Sequence, residues 1–156
     1  MSLVIEQIHN PSEDARRLIG ELNAELNAAY PQEQRHGLTL DGIFQPNVLF
    51  FIARLDGDAV GCGGVAFEDG LAEVKRMYVR PLVRGQNVAA SILARLEQEA
   101  RGRGIARLVL ETGDAQLAAQ RFYQREGFSP CPIFGRYATM PPRTIGRSRF
   151  FEKPLT

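Results

Sequence analysis

Between Glu73 and Ala89 the sequence runs EVKRMYVRPLVRGQNVA. A β-branched and aromatic stretch leads into a loop carrying Arg84 and Gly85, and a helical pattern opens at about Asn87. A strand–loop–helix junction of this kind aims successive backbone N–H groups and the positive end of a helix dipole at one point. The chemistry that suits it is anion binding, phosphate above all. No Gly-Lys-Ser/Thr follows, and the dinucleotide glycine spacing is absent, so neither of the common nucleotide loops is meant. Upstream, strand alternation puts Glu73 on one face with Lys75, Met77 and Val79.

Other chemistries find little support. Cys62 and Cys131 are too few for a disulfide framework or a four-thiolate zinc site, and two histidines argue against a metal enzyme. Cys62 sits in a glycine-rich strand and reads as a small core residue. Net charge is +1, which gives no pull toward nucleic acid. The charge is unevenly spread, however. Residues 1–73 hold 4 Arg against 12 Asp or Glu, whereas residues 74–156 hold 15 Lys or Arg against 6 Asp or Glu. Two ligand surfaces of opposite preference are the functional reading of that split.

The elements that must position these residues follow from periodicity. At 156 residues and 44% apolar composition, one domain over 1–156 is expected. Leu3–Ile8 alternates as a strand. Asn10 is the expected cap of a helix with Pro11 in its first turn and Glu13 closing a capping box; Ala15, Leu18, Ile19, Leu22 and Leu26 form its apolar stripe. A short helix is expected around Leu40–Phe44. Val48–Leu55, Ala59–Phe67 and Ala72–Val79 are strands joined by Asp-Gly turns. A helix from about Asn87 to Ala100, a buried strand at Leu108–Leu110 and a helix from Gln116 to Arg125 follow. The remainder is expected to be extended around Pro141-Pro142, with a last strand at Arg149–Glu152. The central antiparallel meander excludes a doubly wound sheet, and the later strand–helix–strand stretch implies a parallel section, with helices on both faces. No 18-residue apolar stretch is present, so no membrane span is expected. Met1–Glu6 has no basic region, apolar core or small-residue cleavage site, which makes a cytoplasmic protein with reduced thiols the expectation.

The residues also carry a resemblance. Arg84-Gly85-Gln86-Asn87-Val88-Ala89 resembles the acyl-CoA-binding motif of the GNAT superfamily of N-acyltransferases, Gln/Arg-x-x-Gly-x-Gly/Ala. Asn87 stands where Gly is usual, and Asn best tolerates a left-handed backbone after glycine. Gln116 to Phe128 is similar to the family's Asn-x-x-Ala-x-x-Phe-Tyr-x-x-x-Gly-Phe, with Gln116 in place of Asn. The resemblance implies a mixed α/β, mostly antiparallel sheet in which two parallel strands splay apart, at the end of Glu73–Val79 and at Leu108–Glu111. It implies acetyl-CoA as co-substrate, its pantetheine arm along the backbone of Met77, Tyr78 and Val79. The diphosphate would lie on residues Arg84, Gly85, Gln86, Asn87, Val88 and Ala89, with Gln116 nearby and no metal. Acetyl would pass directly from sulfur to a primary amine of a small molecule or protein.

That transfer needs a base for the amine, a donor for the thioester oxygen and a proton for the departing thiolate. The resemblance implies Glu73 as base, alone or through ordered water, the Val79 N–H as oxygen donor and Tyr123 as acid. Phe122 and Phe128 read as core. His36 lies in the region that lines the acceptor site in the family. The half-chain charge counts suit a cationic acceptor. A homodimer is a common assembly in the family. A non-catalytic acyl-CoA-binding or sensor domain is the alternative, and turnover of an amine panel separates the two.

Overall fold

The computed structural model describes residues 2–155. The one-domain reading over 1–156 and the reading of the N-terminus take in Met1 and Thr156, which lie outside the described residues. The chain order is β1 (Leu3–Ile8), α1 (Glu13–Ala29), β2 (Val48–Leu55), β3 (Asp58–Glu68), β4 (Leu71–Val79), α2 (Val88–Gly102), β5 (Arg107–Gly113), α3 (Leu117–Arg125), β6 (Ser129–Pro130), α4 (Pro142–Ile145) and β7 (Ser148–Pro154). One seven-stranded sheet has the order β1-β2-β3-β4-β5-β7-β6. Its pairings are antiparallel except for β4 with β5, as the sequence led one to expect.

The apolar run of β2 shows why the sheet is covered twice. Phe50 and Ile52 pack with Leu18, Ile19 and Leu22 of α1, whereas Phe51 and Ala53 pack with Ile92, Leu93 and Leu96 of α2. Alternate residues of a strand point to opposite faces, so a continuous apolar run is the signature of a sheet buried on both sides. The glycines of β3 let α2 come close: a Cβ on Gly63 would lie 2.8 Å from the Ile92 methyl.

Three expectations change. Helix α1 begins at Glu13, and its cap is Ser12, whose hydroxyl accepts from the Ala15 N–H at 3.1 Å; Asn10 and Pro11 lie outside the helix. Ser is as good a cap as Asn, and only the path of the chain chooses between them. The tail is less extended than expected, with a turn of 3-10 helix at Gly135–Thr139 and the short α4. The third change is the alternation of β4. Between the pairs Cys62–Tyr78 and Gly64–Lys75, Gly63 alone faces both Arg76 and Met77. This is a β-bulge, with Arg76 at φ 55°. Alternation reverses there. Glu73 does share its face with Lys75, but Met77 and Val79 turn to the α2 side, and Arg76 joins Lys75 on the α1 side.

Candidate active site

The parallel pair is short. Strands β4 and β5 are in register at Ala72–Leu108 and Glu73–Val109 and then part. The gap beyond is walled on one side by Glu73–Met77 and on the other by Leu110–Gly113, with α3 across it. Divergence leaves strand backbone unpaired, which a ligand can bond to. Two cavities occupy this cleft. An outer one of about 490 Å³ runs along the loop before α2. An inner one of about 140 Å³ lies between the strands and under α1. Met77, Gln116 and Tyr123 belong to the walls of both.

The outer cavity combines features that suit an anion. Gly85 has φ 86° and Asn87 φ 66°, both left-handed. The first N–H groups of α2, on Val88, Ala89 and Ala90, have no carbonyl four residues back within the helix. The Asn87 side chain makes no capping hydrogen bond to them. Arg84, Gly85, Asn87, Val88 and Ala89 line this cavity with Met77, Tyr78 and Val79, while Gln86 is exposed and outside its wall. Arg84 is also a brace. Its Nε donates to the Val79 carbonyl at 2.9 Å and its Nη2 to Glu25 of α1 at 2.7 Å. Arg80 makes two bonds to Glu21, at 3.0 and 2.7 Å. These contacts hold the Glu21 carboxyl below its usual range, with the Arg80 hydrogen bond the largest cause. The acidic α1 therefore pairs with the basic loop, which accounts for part of the charge split between the two halves.

The left-handed backbone at residue 87 carries a prediction. Asn87→Gly should keep the melting temperature and tighten or preserve acetyl-CoA binding, because glycine adopts this conformation freely. Asn87→Ala should cost about 1 kcal/mol, since a β-carbon without a polar side chain is poorly tolerated there. Thermal melts and calorimetric titration read both.

Tyr123 is buried between Phe122 and Phe128, with ring centroids 5.2 and 5.5 Å away. Burial pushes its phenol well above the usual range, so it stays protonated and able to donate throughout the working pH range. Its position on both cavity walls is what an acid near a thioester sulfur needs. Glu73 lies deeper. Tyr137 Oη donates to Glu73 Oε2 at 2.7 Å, and Lys75 Nζ lies 2.9 Å from that oxygen and donates to Tyr137 Oη at 2.9 Å. Burial lowers the Lys75 pKa, and the Glu73 carboxylate opposes that. His36 reaches the inner cavity as well, its Nε2 2.9 Å from the Thr144 carbonyl and its ring edge-on to Tyr137. Burial pushes the Cys62 thiol up to about 12, which leaves it inert. Among the described residues no cluster suited to a metal ion occurs.

Several residues of this site escaped the sequence reading. Tyr137 sits in an irregular tail with no motif. Arg35 and Arg76 carry no motif of their own. Glu111 had a signal, a carboxylate ending the apolar run Leu108–Leu110. It accepts from Ser148 Oγ at 2.7 Å on the wall of the inner cavity. Burial raises its pKa above the ordinary carboxylate range, and the Ser148 bond opposes that. A carboxyl whose folded pKa is raised binds more protons folded than unfolded, so it loses stability as pH rises from its unfolded pKa through its folded one. Glu111→Gln should therefore raise the melting temperature at neutral pH, with the gain vanishing below the unfolded pKa. Melts from pH 3 to 8 test this.

The family model for "Acetyltransferase (GNAT) family" matches residues 13–128. The chain belongs to the GNAT acetyltransferase family. It is 41% identical over 149 residues to an "IAA acetyltransferase" of Azospirillum brasilense, covering 94% of each chain. A crystal structure of a Klebsiella pneumoniae protein named for acyl-CoA N-acyl transfer is 33% identical, superposes with a TM-score of 0.78, and covers 99% of this chain and 98% of that one. The PaiA N-acetyltransferase of Thermoplasma acidophilum, solved with coenzyme A, shares the fold at 18% identity, with a TM-score of 0.71 and 99% of each chain covered. This GNAT protein is thus an acyltransferase, and where its loop departs from the family pattern Asn87 has a left-handed backbone.

Proposed function

We propose that the chain transfers acetyl from acetyl-CoA to a primary amine, with the diphosphate on the Gly85–Ala90 cradle and the acceptor in the inner cavity. The observation that carries this is the pair of cavities meeting at Tyr123, one walled by free helix-start N–H groups and the other by the half-buried carboxylates of Glu73 and Glu111. The resemblance to a relative solved with coenzyme A supports the first assignment. Acetyl-CoA, when bound, supplies the thioester that carries the acetyl group. The chain's own groups do the rest. Glu73 accepts the amine's proton, directly or through water, so that the nitrogen lone pair can attack the acetyl carbon. The Val79 N–H donates to the thioester oxygen as negative charge grows there. As the carbon–sulfur bond breaks, Tyr123 Oη gives its proton to the sulfur.

We place the chain in the cytoplasm, the setting expected from its sequence; among the described residues no helix is long and apolar enough to cross a membrane, and Cys62 and Cys131 are free thiols. A homodimer is the assembly that the family resemblance suggests.

The test is a melting experiment joined to an assay. At about 100 times its dissociation constant, acetyl-CoA should stabilise the protein by about 2.7 kcal/mol. Pantetheine, which lacks the diphosphate, should do much less. Thiol release with an amine panel then reads turnover. Equal shifts from both ligands would remove the cradle from this account.

A further inference from the structure

We propose that the acceptor carries an anionic group, a carboxylate or a phosphonate, beside its amine, and that Arg35 and Arg76 bind this anion in the inner cavity. The proposal rests on the reading above that the inner cavity takes the acceptor.

The two arginines are held in an unusual way. Arg76 is buried at 8% exposure. Its Nη2 bonds to Asn23 Oδ1, a neutral group, and its Nε has no partner. Arg35 Nε is also buried and unpartnered. Both line the inner cavity. Among the described residues, neither guanidinium lies within ion-pair distance of a carboxylate, whereas Arg54, Arg80, Arg84 and Arg147 all do. Each of the two also faces a like charge, since Arg35 adds to the burial that lowers the Arg76 pKa. Leaving a buried guanidinium such as that of Arg76 unpaired is costly, and the half-buried Arg35 beside it adds a like charge. An anion between them would relieve both penalties, and a planar fork suits carboxylate or phosphonate oxygens.

The backbone is shaped for the same purpose. Arg76 occupies the bulge of β4 at φ 55°, a conformation that costs a non-glycine residue energy. That bulge is what turns its side chain to the α1 side. Gly37, two residues beyond Arg35, leaves the room the side chain needs: a Cβ there would collide with Arg76 Nη1. Across the cavity the charge is opposite. Glu73 has Lys75 as its partner, but Glu111 has only the Ser148 hydroxyl. Its carboxylate is available to an ammonium. A cavity with an unpaired carboxylate on β5 and unpaired guanidinium groups on β4 and the loop after α1 is complementary to a small molecule with both charges. The half-chain counts suit a cationic acceptor, but the cavity wall does not follow the counts, because Arg35 is one of the few cations of the acidic half.

The experiment compares β-alanine and 2-aminoethylphosphonate with propylamine and 1,4-diaminobutane, using thiol release from acetyl-CoA. The anion-bearing amines should exceed both others in kcat/KM by about 10- to 100-fold, the worth of hydrogen bonds to a charged group. Arg35→Gln should collapse the ratio of β-alanine to propylamine, mainly through KM. Arg35 is the better variant because it is less buried than Arg76. A second readout needs no turnover: propionate and ethylphosphonate should raise the melting temperature of the wild type and not of Arg35→Gln. Whichever anion shifts the melt more identifies the source. Propylamine or diaminobutane used as well as β-alanine would overturn the proposal, and so would a preference or a melting shift that survives Arg35→Gln. If acetyl-CoA shifts the melt while the acceptor preference is absent, this proposal fails and the acetyltransferase reading stands. If acetyl-CoA gives neither shift nor turnover, that reading fails, and the anion melts alone decide whether the arginine pair is a site.

Discussion

Tyr123→Phe is expected to lower kcat by about 10²-fold, at the lower end of what loss of a general acid costs. The thiolate it serves is a moderate leaving group, since free thiols ionise near pH 8.5, so the help required is modest. The ring stays between Phe122 and Phe128, so packing is kept. The melting temperature and the KM for acetyl-CoA should therefore change little. Burial holds the phenol well above its usual range, so the wild type has no alkaline limb from this group. The mutant's deficit should be constant from pH 7 to 10. A pH–rate profile of both proteins with one saturating amine reads this. A mutant within about threefold of wild type at every pH would make Tyr123 a packing residue only.

Glu73→Gln should show the largest combined effect. The substitution leaves Lys75 buried with its ammonium facing Tyr137 and no carboxylate in contact, and breaking such a pair costs about 3–5 kcal/mol. Activity should fall at least about 10²-fold if Glu73 takes the proton. The two losses can be separated. Lys75→Met in the Glu73→Gln background removes the stranded charge and should restore most of the stability, because an apolar pair of similar size often replaces a buried ion pair without cost. Activity should stay low. Chemical denaturation and thiol release on the single and double variants give the four numbers needed. Activity that returns with stability would assign Glu73 a structural role and leave the proton to water.

Much of this was visible in the chain. The strand–loop–helix at Glu73–Ala89 and the Phe122-Tyr123 helix were placed by periodicity and by residue type, because helix starts, caps and amphipathic stripes are local devices. The left-handed backbone at Asn87 was legible for the same reason: it depends on one residue's own sterics. The meander of β2, β3 and β4 could be read from Asp-Gly turns between apolar runs.

The bulge in β4 could not be read, and the site turns on it. A bulge is a relation between two strands, here one residue, Gly63, facing two, Arg76 and Met77. Alternation within β4 alone predicts the opposite face for everything beyond it. Tyr137 and Glu111 were hidden for a related reason. Tyr137 meets Glu73 across 64 positions of sequence, and no spacing rule links them. The charge pairing of α1 with the loop before α2, and the absence of any such partner for Arg35 and Arg76, are likewise facts of three-dimensional neighbourhood. By itself the sequence determined which local devices exist: the loop and helix start after β4, the sheet buried on both faces, the aromatic helix. Only the tertiary structure decided which charges are paired and which are left without a partner, because the cost of a charge is set by what surrounds it rather than by what precedes it in the chain.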